Sequence, residues 1–172
     1  MKKKIICSLL IIISLFVITG CGSNTNNNSK NKESTNEIKT KLSCYHETSL
    51  FHSKKSVEHI VSLNKDNKLI GYEYIEKYYD FNDDNNFNMI CDGATEEAEL
   101  HNKSYDYLKE VANCNQNSKE ITISDLYDIS KLVSKNPLKS KELVESLDDD
   151  YVVDIENFKT AIGKKEYICE EK

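Results

Sequence analysis

VEHIVSLNKDNKLIGYEYIEKYY, from Val57 to Tyr79, is the run that decides the fold class. Its two halves, Val57 to Leu63 and Leu69 to Tyr79, are rich in β-branched and aromatic residues. The polar stretch Asn64-Lys65-Asp66-Asn67-Lys68 separates them. Two such runs around a five-residue loop predict an antiparallel hairpin. In the second half Ile70, Tyr72 and Tyr74 fall on one face and Gly71, Glu73 and Ile75 on the other. One side of the sheet is therefore apolar and the other wetter, the pattern of an antiparallel sheet covered on one side.

Upstream, Leu42 to Phe51 alternates loosely and supplies a third strand. Downstream, the polar run Asp80 to Asn88 reads as a loop. A helix is predicted from Ala94 to Asn113, with Ala98, His101, Tyr105, Leu108 and Ala112 as its covered stripe. Glu96, Glu97 and Glu99 then fall in its first turns, where the helix dipole favours acids. Lys119 to Ser124 resumes strand character. Asn136-Pro137 opens a helix running to Leu147, and Asp154 caps another that Gly163 stops in left-handed backbone. Val153 and Phe158 form its hydrophobic staple. Tyr167-Ile168-Cys169 closes the chain as a strand. The expected architecture is α+β: an antiparallel sheet of four or five strands, a long helix on one face, and short C-terminal helices.

The amino terminus, MKKKIICSLLIIISLFVITGCG, has a different character. Lys2, Lys3 and Lys4 precede an apolar run from Ile5 to Ile18, and Thr19, Gly20 and Cys21 follow. A cationic end, a short apolar core and small residues at the break make a secretory signal. The core, about 14 residues, is shorter than the ~20 that span a bilayer as a helix. Residues 23–40 hold one aliphatic side chain, Ile38, among Asn, Ser, Thr and Lys, too little to form a core. The expected organisation is a signal peptide at 1–20, a flexible tether at 21–40 and a globular domain at 41–172.

Ile18-Thr19-Gly20-Cys21 resembles the lipobox of bacterial lipoproteins. The resemblance implies cleavage before Cys21, a diacylglycerol thioether on its sulfur, and anchorage at the extracytoplasmic face of the membrane. With the opening Lys41-Leu42-Ser43-Cys44, the closing Tyr167-Ile168-Cys169-Glu170 and the strand-helix order, the chain also resembles small YehR-like lipoproteins of low-GC Gram-positive bacteria. That likeness implies no residue assignment beyond lipidation at Cys21.

The chain holds six cysteines. Cys7 would leave with the signal and Cys21 would carry lipid, which leaves Cys44, Cys91, Cys114 and Cys169. An even number in an exported domain reads as two disulfides with three connectivities. The preferred pairing is Cys91–Cys114, bracketing one helix, and Cys44–Cys169, in the terminal strands. Free buried thiols and a zinc site are the other readings, but no C-x-x-C pair supports the metal.

Net charge is −6, and there is no arginine. Phosphate contacts need clustered cationic side chains, so nucleic acid is excluded as a partner. The segment Asp80 to Asn88 places Asp80, Asn82 and Asp84 at alternating positions, like the start of a calcium loop. Asn85 then stands where glycine is needed and Cys91 where a bidentate Glu is needed, so it reads as a polar turn. His46, His52, His59 and His101 invite a metal or acid–base reading; Cys44 and His46 share a strand face, and His59 could approach them across the sheet. His101 lies on a helix stripe where packing is the commoner role. No spacing fixes a metal triad. There is no G-x-S-x-G, and the chain's few glycines form no phosphate loop. Tyr72, Tyr74, Tyr78, Tyr79, Tyr105 and Tyr107 read as sheet and core packing, or as an aromatic binding patch.

No catalytic residue, cofactor or metal is expected. The chain reads as a membrane-anchored binding or interaction module, with an envelope protein or the cell wall as partner. The alternative is a non-enzymatic inhibitor or accessory subunit of another envelope protein, with a small envelope enzyme third.

Overall fold

The hairpin forms where the sequence placed it. The computed structural model of the chain describes residues 37–172. The expected signal peptide, Cys21 and most of the expected tether lie outside the described residues. Strand β2 (Lys54–Leu63) pairs antiparallel with β3 (Leu69–Tyr79). The Asn64 side chain accepts from the backbone N–H groups of Asp66 and Lys68, at 2.9 and 3.0 Å. Asn67 takes the left-handed turn position, with φ 58°. Ser62 pairs with Gly71 but Leu63 with Leu69, so Ile70 is the extra residue of a bulge. The bulge turns Leu69 and Leu63 together into the core, where both are buried.

Around this hairpin, β1 (Thr40–Ser49) pairs with β2, β4 (Leu108–Asn115) with β5 (Glu120–Tyr127), and β5 with β3. The last strand, β6 (Ile168–Glu171), returns to pair with β1. Among the described residues the sheet has six strands in the order β4-β5-β3-β2-β1-β6, all antiparallel. The α+β class holds; the strand count exceeds the four or five expected, because Leu108–Asn115 is strand and not helix.

The long helix lies earlier than the stripe indicated. Helix α1 is Asp84–Ser104, capped by Asp83, whose carboxylate accepts from Asn86 N–H. The polar run read as a loop therefore contains the helix start, and Phe87 within it is fully buried. Phe87, Ala94 and Ala98 form the buried face. Glu96, Glu97 and Glu99 consequently sit mid-helix, away from the N-terminal dipole. Downstream, Leu108, Glu110, Ala112 and Cys114 turn to the sheet's covered face at a period of two. Their spacing from Tyr105 had mimicked a helical stripe.

The C-terminal helices differ in detail. Ser140, not Asn136, caps α2 (Lys141–Glu145), accepting from Leu143 N–H at 3.1 Å. The expected N-cap and first position, Asn136-Pro137, lie in turn and bend backbone before it. Asp154 caps α3 (Ile155–Gly163) as expected, and Val153 and Phe158 join one core. Gly163 ends α3 without left-handed backbone; Glu166, at φ 65°, makes the reversal into β6.

All three helices pack on one face of the sheet, which divides the interior. The α2–α3 end forms a large core of Leu42, Val61, Leu69, Leu143, Phe158, Ile162 and their neighbours. Helix α1 covers a smaller one around Phe87, Ala94 and Ile121. Cys44 and Cys169 are register partners across β1 and β6, and their sulfurs lie 2.01 Å apart. Cys91 on α1 and Cys114 on β4 stand at 2.10 Å. Both pairs match the preferred connectivity, though Cys114 belongs to a strand.

Candidate functional site

Between the two cores runs a line of polar side chains. Register partners carry it across the entire sheet: Cys169, Cys44, His59, Tyr74, Asp125 and Glu110. Of these, Cys44, His59, Asp125 and Glu110 are buried. Polar groups at such depth need partners, and most have them. His59 Nδ1 lies 2.8 Å from the Tyr72 hydroxyl. Burial pushes the imidazole down to about 4 and raises the Tyr72 phenol well above its ordinary value. The ring is thus neutral and the phenol protonated, and the two share one hydrogen bond. One rung further, Glu76 accepts from Lys55 at 2.7 Å, from Tyr78 at 2.9 Å, and from the Tyr74 hydroxyl. Burial favours the neutral acid, but these donors outweigh it and hold Glu76 below the usual carboxylate range.

At the β4 end the line becomes more highly charged. His101, on α1, places Nδ1 2.6 Å from Glu110 Oε2. Glu97, one turn earlier, lies 3.9 Å from His101 Nε2. Donor atoms of Glu97, His101 and Glu110 all fall within 4.8 Å of one another. Burial, and then the neighbouring Asp125 charge, push the Glu110 carboxyl upward against the pull of His101. Asp125 is fully enclosed, with Lys139 Nζ 2.7 Å from Oδ2. That ion pair is the one charged contact of Asp125 among the described residues, and Oδ1 has no hydrogen-bond partner there. Lys139 also stands over the Tyr74 ring, 5.1 Å from its centre. The Asn102 side chain clamps the edge strand here, donating to Glu110 C=O at 2.7 Å and accepting from Glu110 N–H at 2.9 Å.

The opposite face of the sheet carries no helix among the described residues. Tyr45, Val111, Leu126 and Ile168 are exposed on it, between 40% and 70%. Tyr45, Ile75, Lys77 and Tyr79 help line a groove of about 440 Å³. Both tyrosine hydroxyls donate to the Glu47 carboxylate, Tyr45 at 2.9 Å. These bonds hold Glu47 below its ordinary range. Lys77 pairs with Glu120 at 2.8 Å across the groove. A second hollow, lined by Ser43, Glu58, Ile168 and Lys172, shares Tyr45 with the first.

The four histidines do not converge. His46 and His59 flank Tyr167, with ring centres 5.1 and 5.2 Å from it. His52 is exposed beside Asn82, and His101 belongs to the α1–β4 seam. Cys44 is bonded to Cys169 and has no thiolate to offer. The acids of the calcium-like stretch are spent locally: Asp80 pairs with Lys54, Asp83 caps α1 and Asp84 meets Lys119. Of the tyrosines read as a patch, Tyr72, Tyr74 and Tyr78 lie on the covered face and Tyr79 on the open one. Tyr105 and Tyr107 stack at the α1–β4 turn. Glu110, Asp125, Lys139 and Tyr45 were not anticipated. For Asp125 a signal existed, an acid in the alternation Ile121, Ile123, Asp125, Tyr127 that otherwise faces the core.

No helix among the described residues is long and apolar enough to cross a membrane. Comparison of the chain with protein-family models, with curated proteins and with solved structures finds no match in any of the three.

Proposed function

We propose that this is a membrane-anchored extracytoplasmic lipoprotein, held by lipid on Cys21, whose open sheet face binds a protein of the cell envelope. The observation that supports this most is the asymmetry of the sheet. Every described helix covers one face, while the other leaves Tyr45, Leu126, Val111 and Ile168 exposed, with Tyr45 lining a groove. Amphipathic aromatic and aliphatic anchors within a polar surround are the composition of interface centres. Charges of both signs, including Glu47, Glu58, Glu120, Lys77 and Lys172, border the hollows, which favours a protein partner over a polyanion. Two cysteine pairs at bonding distance agree with an oxidising compartment.

The test uses the full chain in intact cells. A photo-crosslinking residue at Leu126 should capture a defined envelope protein, whereas one at Glu156, on α3, should not. Capture from neither site, or equally from both, would defeat the reading. Separately, a fatty-acid analogue should label the wild type and not Cys21→Ala; equal labelling removes the anchor.

A further inference from the structure

We propose that Glu97, His101 and Glu110 form a binding site for one divalent transition-metal ion of the zinc type. This goes beyond partner binding and rests on a different part of the molecule. Glu97 and His101 are one helical turn apart, so both project from the same side of α1 toward β4. Glu110 faces them from the strand, its side chain only 2% accessible. Around a tetrahedral zinc, ligand atoms stand about 3.4 Å apart, given metal–ligand distances near 2.1 Å. His101 Nδ1 stands 2.6 Å from Glu110, His101 Nε2 stands 3.9 Å from Glu97, and one ligand atom from each of the three lies within 4.8 Å of the others. The two contacts involve different ring nitrogens. Closing the site therefore needs Glu97 to swing round the imidazole, and its side chain, 58% exposed, is free to do so.

A second observation is the charge left over beside this cluster. Glu110 and Asp125 are register partners, both buried, on adjacent strands. Two carboxylates at that spacing repel, and Lys139 offsets one of them. Asp125 is fully enclosed, with Lys139 Nζ 2.7 Å from Oδ2 and no partner on Oδ1 among the described residues. A dication at Glu110 would offset the second of these two buried negative charges. The Asn102 clamp fixes the Glu110 backbone at both N–H and C=O, as a ligand on a strand edge requires.

The donor set selects the metal class. One imidazole with carboxylates suits zinc or manganese; all-oxygen cages suit calcium or magnesium, and thiolates suit copper(I). The cysteines among the described residues are paired, so no thiolate competes. His101 remains 23% accessible, which leaves a path for the ion and for a solvent ligand.

The test is titration of the purified full chain, first stripped with chelator, with zinc chloride by calorimetry, and with calcium in parallel. The expected result is one zinc per chain, weakened at least about tenfold by Glu97→Gln and by His101→Gln and unchanged by Glu99→Gln. Glu97 is exposed, so its substitution leaves folding intact and isolates the ligand role. In proton–nitrogen spectra, zinc should shift the His101 ring and leave His59 unmoved. Absence of binding, zinc binding untouched by Glu97→Gln and His101→Gln, or calcium binding as tight as zinc would each overturn the proposal. In the first case His101 and Glu110 are a close polar contact that docks α1 and nothing more.

Discussion

Acid should weaken this fold through one buried imidazole. In the unfolded chain His59 has the ordinary value of 6.5, whereas in the folded chain burial lowers it to about 4. Between those values the unfolded chain binds the proton and the folded one refuses it, so stability falls as pH falls. The effect is absent above about pH 6.5, grows through the window, and is complete below about pH 4. The gap corresponds to about 3 kcal/mol. Geometry gives the same direction. Protonation places a positive charge on a buried ring whose hydrogen-bond partner is the neutral Tyr72 hydroxyl, 2.8 Å away. His59→Gln keeps an acceptor for Tyr72 and cannot titrate. Urea unfolding, followed by circular dichroism from pH 7.5 to pH 4, should show the wild type losing about 3 kcal/mol more than the variant. Carboxylates titrate in both proteins and cancel in the difference. Parallel pH profiles, or a His59 ring resonance titrating near 6.5, would refute the reasoning.

Three further perturbations have expected magnitudes. Phe158→Ala, emptying the centre of the larger core, should cost about 3–5 kcal/mol in urea unfolding. Replacing Cys91 and Cys114 together by serine should cost up to ~3.4 kcal/mol for the loop they close, a value read from the same experiment under oxidising conditions. Asn102→Ala removes the clamp on Glu110 and should cost about 1–2 kcal/mol. It also bares the N–H and C=O of an edge strand, so sedimentation velocity should detect a concentration-dependent dimer; a monomer at all concentrations counts against that role.

The meander and the hairpin loop were readable because one polar loop interrupts two long β-rich runs and a period of two holds through Tyr72 and Tyr74. The boundary of α1 was not, for a physical reason. Asp83 and Phe87 sit in a run of Asn and Asp whose composition says loop, and only burial of Phe87 against the sheet makes that run helical. Past Tyr105, residues 105, 108 and 112 satisfy a helical step while 108, 110, 112 and 114 satisfy a strand step. The choice rests on pairing with β5, which local sequence does not contain. Setting Cys7 and Cys21 aside left four cysteines and three connectivities, and the expected helix and terminal strands favoured the pairing observed. The polar line across the sheet was largely hidden: it is one register column through six strands, and register is a property of the assembled sheet.

The link between Cys44 and Cys169 gives the domain a mechanical character. It joins a residue near the start of β1 to one near the end of the chain, enclosing a sequence separation of 125 residues. Tension between the two chain ends passes across that bond, so the span it encloses lies off the load path. The enclosed chain, with the groove and the buried seam, is then shielded from stretching. Under the anchoring proposed above, force entering at the N-terminal side of β1 is shared through the bond with β6, so the two paired strands must leave the sheet together.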